Sequence, residues 1–298
     1  GKVDFLTLRP MSFYEFVLAN QGKELLDLLS GLKRGERVPE LFTDRMADYL
    51  KNYYLTGGMP EAVAKWIETK DIVEVESVQQ RILESYELDF SKHAPVADIP
   101  RLNLIWKSIP SQLARENGKF IFSHVRPGAR AKELEDALEW LIAAGMVYKV
   151  ARIEKPFMPL AAYADRNYFK LYTADVGLLR KLAHLPAEAI FQAPEIYKEF
   201  KGALAENLVL TELLNAGGDI PFYWKSNNTA ELDFVTQCGA RIVPIEVKSG
   251  RNNKSRSLAE YRKRYSPELA VTTSLDNFSG DSVRNIPLYM LWKQGLYE

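Results

Sequence analysis

The sequence predicts an α/β chain of several units, helical at its N-terminal end and α/β at its C-terminal end. Three observations carry this. Apolar residues recur at helical spacing through most of residues 12–90. Residues 100–185 then alternate amphipathic helical segments with strand-like ones. Finally, Glu231-Leu-Asp233-Phe-Val and Ile242-Val-Pro-Ile-Glu246-Val-Lys248 flank a Cys-Gly turn and read as a pair of strands.

Taken in order, Gly1-Lys-Val-Asp-Phe-Leu-Thr-Leu has a strand-like pattern without a methionine start. A lone strand needs a sheet to pair with, so the chain is expected to be part of a longer protein whose sheet lay upstream. Ser12 with Glu15 three residues on has the capping-box spacing. Helices are expected at 11–18, 25–32, 42–54 and 60–67, with a loop at 31–39. Thr56-Gly-Gly-Met-Pro60 should form a sharp turn, with Pro60 near the first helical position. Ile72, Val75, Val78, Ile82 and Tyr86 set a helix over 71–90. Residues 100–185 read as a winged-helix unit. It has a helix from Arg101 to Glu116 and a second from Glu133 to Ala144, with Leu134, Ala137, Leu138 and Leu141 on one side and Gly145 as its stop. A wing strand follows from Met146 to Ile153, and Lys170-Leu-Tyr172-Thr-Ala-Asp175 supplies the returning strand and a short helix. Residues 196–298 should form an α/β unit: a helix, the strand pair, a basic helix from Ser255 to Arg264, and strands at 269–273 and 287–292.

Composition narrows the function classes. The chain has 298 residues, room for two or three domains, and a hydrophobic share of 47% that supports real cores. Its formal net charge of +0 gives no global pull toward nucleic acid, so any basic footprint is local. The single Cys238 excludes an intrachain disulfide framework and Cys-rich zinc modules. Three scattered histidines give no His-based metal or triad pattern. With no signal peptide and no apolar run near the membrane-spanning length of about 18 residues, a cytoplasmic protein with no membrane partner is expected.

The strand pair carries the chemistry. Alternation puts Glu231, Asp233 and Val235 on one face, and Ile242, Pro244, Glu246 and Lys248 on a face opposite Val243, Ile245 and Val247. Three carboxylates and an ammonium then converge on an otherwise apolar pair, which is costly unless they are paired or bind a metal. Upstream, Lys201 to Leu214 is a helix whose stripe is Leu204, Leu208 and Leu213, with Glu206 off it. This pattern resembles the PD-(D/E)xK nuclease-like superfamily. The family motif maps onto Glu206, Asp233, Glu246 and Lys248, with Leu232 where a proline often precedes the Asp. The resemblance implies a restriction-endonuclease-like fold and Mg²⁺ or Mn²⁺ on Asp233 and Glu246, with the Val247 carbonyl as a third ligand. Glu206 would act through water, and Lys248 would orient the attacking water or neutralise developing charge. Glu231 is left unassigned. The competing reading is a solvated sheet face.

The wider order of motifs is also informative. An L-x-P-M-S-F segment ends at Phe13, Gly57-Gly58-Met59-Pro60 follows, then K-x-Y-x-x-D-x-G-L from Lys170, then the acidic module. Together these resemble prokaryotic AAA-type ATPases with a C-terminal nuclease-like domain of unknown function. The resemblance implies a helical lid-like segment over 1–95 (1–8 being the end of the ATPase core), a winged-helix domain over 96–190 and a nuclease-like domain over 191–298. No G-x-x-x-x-G-K-[ST] occurs: Gly118-Lys119 runs into Phe120, and Lys254-Ser255 lacks the glycine cradle. ATP is therefore expected only in a full-length protein, where Gly58 and Pro60 would lie near the nucleotide. Expected partners are the upstream ATPase core, DNA and further copies of the chain.

Candidate DNA contacts are Arg251, Lys254, Arg256, Arg262 and Arg264, weighed against a solvated helix face. Trp224 and Lys225 flank the same hairpin, although a tryptophan there is more often core. In the winged unit, Glu133, Glu135, Asp136 and Glu139 disfavour phosphate contact, so a connector role is expected. Lys149 and Arg152 compensate weakly, and His124, Arg126 and Arg130 are the remaining DNA-facing candidates. Asp175 is expected to cap a helix. The expected function is metal-dependent DNA phosphodiester hydrolysis, with a non-enzymatic DNA- or protein-interaction module built on an inactive nuclease fold as the rival.

Overall fold

A computed structural model describes residues 2–4, 6–33, 35–115, 118–192, 198–226, 230–251 and 254–293. The helical N-terminal third contains α1 (Phe13–Ala19), α2 (Lys23–Gly31), α3 (Glu40–Thr56), α4 (Pro60–Thr69) and α5 (Ile72–His93). The middle contains α6 (Ile99–Leu113), α7 (Phe122–Val125), α8 (Ala131–Ala143), β1 (Val147–Ile153), β2 (Ala164–Thr173), α9 (Val176–Leu182) and α10 (Ala187–Gln192). The C-terminal third contains α11 (Lys198–Asn215), β3 (Phe222–Lys225), β4 (Glu231–Cys238), β5 (Arg241–Val247), α12 (Arg256–Tyr265), β6 (Ala270–Ser274) and β7 (Val283–Pro287).

Local chemistry accounts for many of these boundaries. Ser12 and Glu15 form a reciprocal capping box on α1, a device that stabilises by about 1 kcal/mol. Pro60 opens α4, where its missing N–H costs nothing. Asp175 caps α9 through Leu178 N–H at 2.8 Å, and Ser255 caps α12 through Leu258 N–H at 3.0 Å. Gly145, at φ 71°, ends the α8 turn in a conformation that disfavours a side chain.

Three expectations are corrected. Residues 2–4 and 6–8 form no strand and add to neither sheet edge, β2 or β7, and without that pairing Leu6 and Leu8 stay 94% and 93% exposed. The last strand lies at 283–287 rather than 287–292; after Pro287 the chain turns into a short 3₁₀ helix, Leu288–Met290. The third concerns β4, described below. Gly1 and the expected helix end at Glu116 lie outside the described residues.

All seven strands belong to one mixed sheet, in the order β2-β1-β3-β4-β5-β6-β7. The β1–β2 pair is antiparallel and joins the C-terminal strands through a short parallel pairing, Arg152 with Tyr223 and Ile153 with Trp224. Strands from both sides of the expected boundary at residue 190 therefore share one sheet. Leu204, Leu208 and Leu213 of α11 pack with Phe234, Val243, Ile245 and Val247 in the main core. Leu258 and Tyr261 of α12 pack with Trp224, Leu232 and Val235 in a second, smaller core.

Strict alternation would put Val235 on the face of Glu231 and Asp233. Instead, Trp224 pairs with Leu232 but Phe222 pairs with Val235, so Tyr223 alone faces Asp233 and Phe234. This bulge sends Phe234 to the α11 core and Val235 to the α12 core. Bulges re-aim side chains in this way, often beside functional sites. Among the described residues, no helix is long and apolar enough to cross a membrane.

Candidate functional site

The bulge lies in β4, between β3 and β5, where α11 packs on the sheet. Val247 N–H on β5 donates to Asp233 Oδ2 at 2.7 Å, fastening the Asp233 carboxylate to the Glu246–Lys248 segment. Lys248 Nζ pairs with Glu246 Oε1 at 2.7 Å, and Ser255 at the head of α12 also hydrogen-bonds Glu246. Glu246 is buried, and its Oε2 has no hydrogen-bond partner among the described residues. Glu206 lies near enough to raise the proton affinity of both Asp233 and Glu246. The structure thus brings Glu206, Asp233, Glu246 and Lys248 into one electrostatic cluster.

Two members of the cluster were not found by reading the sequence. Lys170 and Tyr172 point from β2, in the middle of the chain, toward Glu206 on α11. Tyr172 Oη donates to Glu206 Oε2 at 2.6 Å. The Lys170 ammonium is 3.5 Å from the same oxygen and 2.9 Å from Glu231 Oε1, and its side chain is only 3% exposed. Glu231, left unassigned by the sequence, is held from its other oxygen by Lys225 at 3.0 Å. Asn207 secures the arrangement: its side chain accepts from Thr173 N–H at 2.9 Å and donates to Thr173 C=O at 3.1 Å, pinning β2 to α11. The available signal was the K-x-Y alternation, which puts a lysine between Phe169 and Leu171 in an apolar strand.

The electrostatics follow from burial. Asp233 is pushed well above the usual carboxylate range by desolvation and by Glu206 and Glu246, against Lys170 and the Val247 N–H. Glu246 is raised by desolvation, against Lys248 and Ser255. Burial alone would lower the Lys170 ammonium, but Glu206, Tyr172, Glu231 and Asp233 outweigh it and hold Lys170 above its ordinary value. Asp233 and Glu246 are therefore short of positive charge, although two lysines already serve the cluster.

A hard divalent cation fits that donor set. Asp233 and Glu246 offer carboxylate oxygens, and the orphaned Glu246 Oε2 carries a desolvation cost that a cation would offset. Among the described residues, no three His, Cys, Asp or Glu side chains are grouped as a ready-made metal site. A cation would thus depend on the two carboxylates together with water or backbone oxygen.

The expected DNA contacts are spread along α12 and the loop before it. Arg251, Lys254 and Arg256 are exposed near Ser255 and so lie at the Glu246 end of the helix. Arg264 pairs with Glu260 and lies 5.7 Å from the Trp224 ring centroid, and Arg262 Nη2 is 3.5 Å from Ser282 Oγ. Arg264 thus sits about 12 Å along the helix from Arg256. Trp224 is core, 1% exposed. In the middle of the chain, Arg126 pairs with Glu133 and Lys149 with Glu139, each at 2.9 Å, while His124 contacts Arg115.

Gly58 and Pro60 lie in a separate joint. Gly58 N–H donates to Asp175 Oδ2 at 2.6 Å, and Gly58 C=O accepts from Met11 N–H at 2.7 Å. A Cβ on Gly177 would come within 2.5 Å of Gly57 N. Three of the four sequence motifs therefore meet here, and the Lys170-to-Leu178 segment links this joint to the acidic cluster. Burial raises Asp175 to about 6, against N–H donors from Gly58, Leu178 and Gly177. Nearby, buried Glu212 accepts from Phe13 N–H at 2.8 Å and is raised to about 7 by desolvation.

Comparison with known proteins finds two matches, both to families of unknown function. A model of a domain of unknown function, DUF8612, matches residues 47–189 and so contains Lys170, Tyr172 and Asp175. A second, DUF4143, matches residues 201–291 and contains Glu206, Asp233, Glu246 and Lys248. No curated protein and no solved structure matches the chain.

Proposed function

We propose that the α11–β4–β5 cluster is a metal-dependent phosphodiester-hydrolysing centre of the nuclease-like type, acting on DNA. The observation that carries this reading is the buried, unpartnered Glu246 Oε2, close to Asp233 and to the Lys248 ammonium. A divalent cation on Asp233 and Glu246 would offset the phosphodiester's charge and lower the pKa of a bound water. Lys248, partly exposed and tethered to Glu246, is positioned to orient that water or to stabilise charge developing on the phosphate. Glu206, fixed by Tyr172 and Lys170, holds further negative potential beside the two carboxylates.

In this reading the middle of the chain is a winged-helix connector that delivers Lys170 and Tyr172. The N-terminal helices correspond to the lid of an AAA-type ATPase, and ATP would act only through an upstream core. The DUF4143 match supports this, since that domain recurs in proteins associated with such ATPases.

One observation favours a second reading. Lys170 already places a buried positive charge between Glu206 and Glu231. An internal cation of this kind suits an inactive scaffold that binds DNA or protein without cleavage. Plasmid nicking with Mg²⁺ or Mn²⁺ separates the two. Cleavage by the wild type should fall at least 100-fold in Glu246→Ala and in Lys248→Ala, with circular dichroism unchanged. Equal cleavage by both variants would eliminate the assignment, and a wild type that never cleaves would favour the scaffold.

A further inference from the structure

Beside the acidic cluster, on the wing side of the sheet, lies a second group of side chains that the proposed chemistry does not use. Lys119 Nζ is 3.7 Å from the Tyr168 ring centroid, and the Arg152 guanidinium is 3.9 Å from the same centroid. Arg152 is held by Asp165 at 2.6 Å, and its buried Nε–H has no acceptor among the described residues. On β3, Tyr223 lies opposite Arg152, and Lys225 is two residues further along the same strand. Lys225 then contacts Glu231, which contacts Lys170. A continuous line of side chains thus runs from Lys119 to the cluster.

Several cations lie close together along this line. Arg152 pairs with Asp165, Lys225 with Glu231, and Lys170 with Glu231 and, at 3.5 Å, Glu206. Among the described residues, Lys119 has no ion pair. Burial and then repulsion from Arg152 and Lys225 lower its ammonium from the ordinary range. Lys119 is close enough to Arg152 and Lys225 to be repelled by both, Asp165 offsets part of that, and an anion reaching Lys119 would relieve the remainder. Two cations also lie within 4 Å of the Tyr168 centroid, leaving little ring face for a stacked base. The chemistry therefore matches backbone phosphates rather than bases.

We propose that Lys119, Arg152 and Lys225 form a phosphate track along which a DNA strand reaches the acidic centre. The inference deepens the nuclease reading and rests on it for the direction of the strand. It moves the main DNA contact from the α12 arginines to the wing, with Arg251, Lys254 and Arg256 on the far side of the cluster. A DNA backbone on this track places its phosphates beside Lys225 and Glu231, next to Asp233 and Glu246.

The test is anisotropy of a fluorescein-labelled DNA duplex titrated with the full chain in excess chelator, at several salt concentrations. The wild type should bind with a linear fall of log affinity against log salt. Lys119→Glu should weaken binding about tenfold or more and reduce the salt slope by about one, with an unchanged melting temperature. Arg152→Gln should act in the same direction; if it fails to fold, Lys119→Glu decides alone, because Lys119 makes no ion pair among the described residues. Wild-type affinity in Lys119→Glu, or no salt-dependent binding by the wild type, would overturn the track. Lys119-dependent binding without any cleavage would defeat the nuclease reading and leave the track standing. Glu246-dependent cleavage with binding indifferent to Lys119 would do the reverse.

Discussion

Lys170→Met should destabilise the protein by about 3–5 kcal/mol, the range for breaking a buried ion pair from one side. The substitution keeps most of the side-chain volume but removes the charge that serves Glu206 and Glu231. The effect is large because the ammonium is 3% exposed, so water cannot replace it. Its pH dependence has a definite sign. Lys170 is held above its ordinary value of 10.5. Its stabilising contribution is therefore complete below that value and is lost only as pH rises through the higher folded one. The deficit of the variant should stay constant through the neutral range. Urea denaturation at neutral pH measures it, and a deficit below about 1 kcal/mol would mean that the carboxylates are well solvated without Lys170. Adding Glu231→Leu to Lys170→Met should recover part of the loss, because the two positions share one interaction.

Gly58→Ala should be nearly as damaging, through sterics instead of charge. A Cβ there would sit 2.1 Å from Met11 O and 2.8 Å from Met11 N. Both contacts are backbone, so the joint must open, breaking the hydrogen bonds to Asp175 and Met11. Overpacking with loss of buried hydrogen bonds costs about 3 kcal/mol or more. Differential scanning calorimetry should show the melting temperature lowered by about 6 °C or more. An unchanged melting temperature would show that the three motif segments separate at little cost. By contrast, Gly202→Ala is expected to be harmless, since nothing lies within 4 Å of its Cβ position.

The parts legible in the sequence are those with long, regular periodicity. The helices at 40–56 and 72–93, the α8 stop at Gly145 and the strand pair around Cys238 follow from spacing and turn chemistry. The hidden parts depend on tertiary pairing. The β1–β2 pair joins the C-terminal strands through two residue pairs near Arg152 and Ile153, too little to leave a pattern. The β4 bulge is hidden because two-residue alternation has no marker for one extra residue opposite Tyr223. The expected strand at 287–292 rests on apolar Leu288–Leu291, but after Pro287 the chain forms a 3₁₀ helix there.

The site divides in the same way. Glu206, Asp233, Glu246 and Lys248 form a recognisable motif, and the structure places them in one cluster. Lys170 and Tyr172 are remote in sequence, and a lysine in a strand ordinarily points to water. Only the fold shows it buried between two carboxylates. The α12 arginines drew attention through their density, yet Arg264 is committed to Glu260 and Trp224. Arg152 drew less attention and sits beside the cluster, because β1 adds to the sheet next to β3.

The central claim is that Asp233 and Glu246 lack a cation that the chain alone does not supply. Calorimetric titration of MnCl₂ into the metal-free chain at neutral pH tests it most directly. The account predicts saturable binding with a Kd of about 1 mM or tighter, lost in Glu246→Gln and in Asp233→Asn while both variants stay folded. Heats indistinguishable between the wild type and the two variants would contradict it.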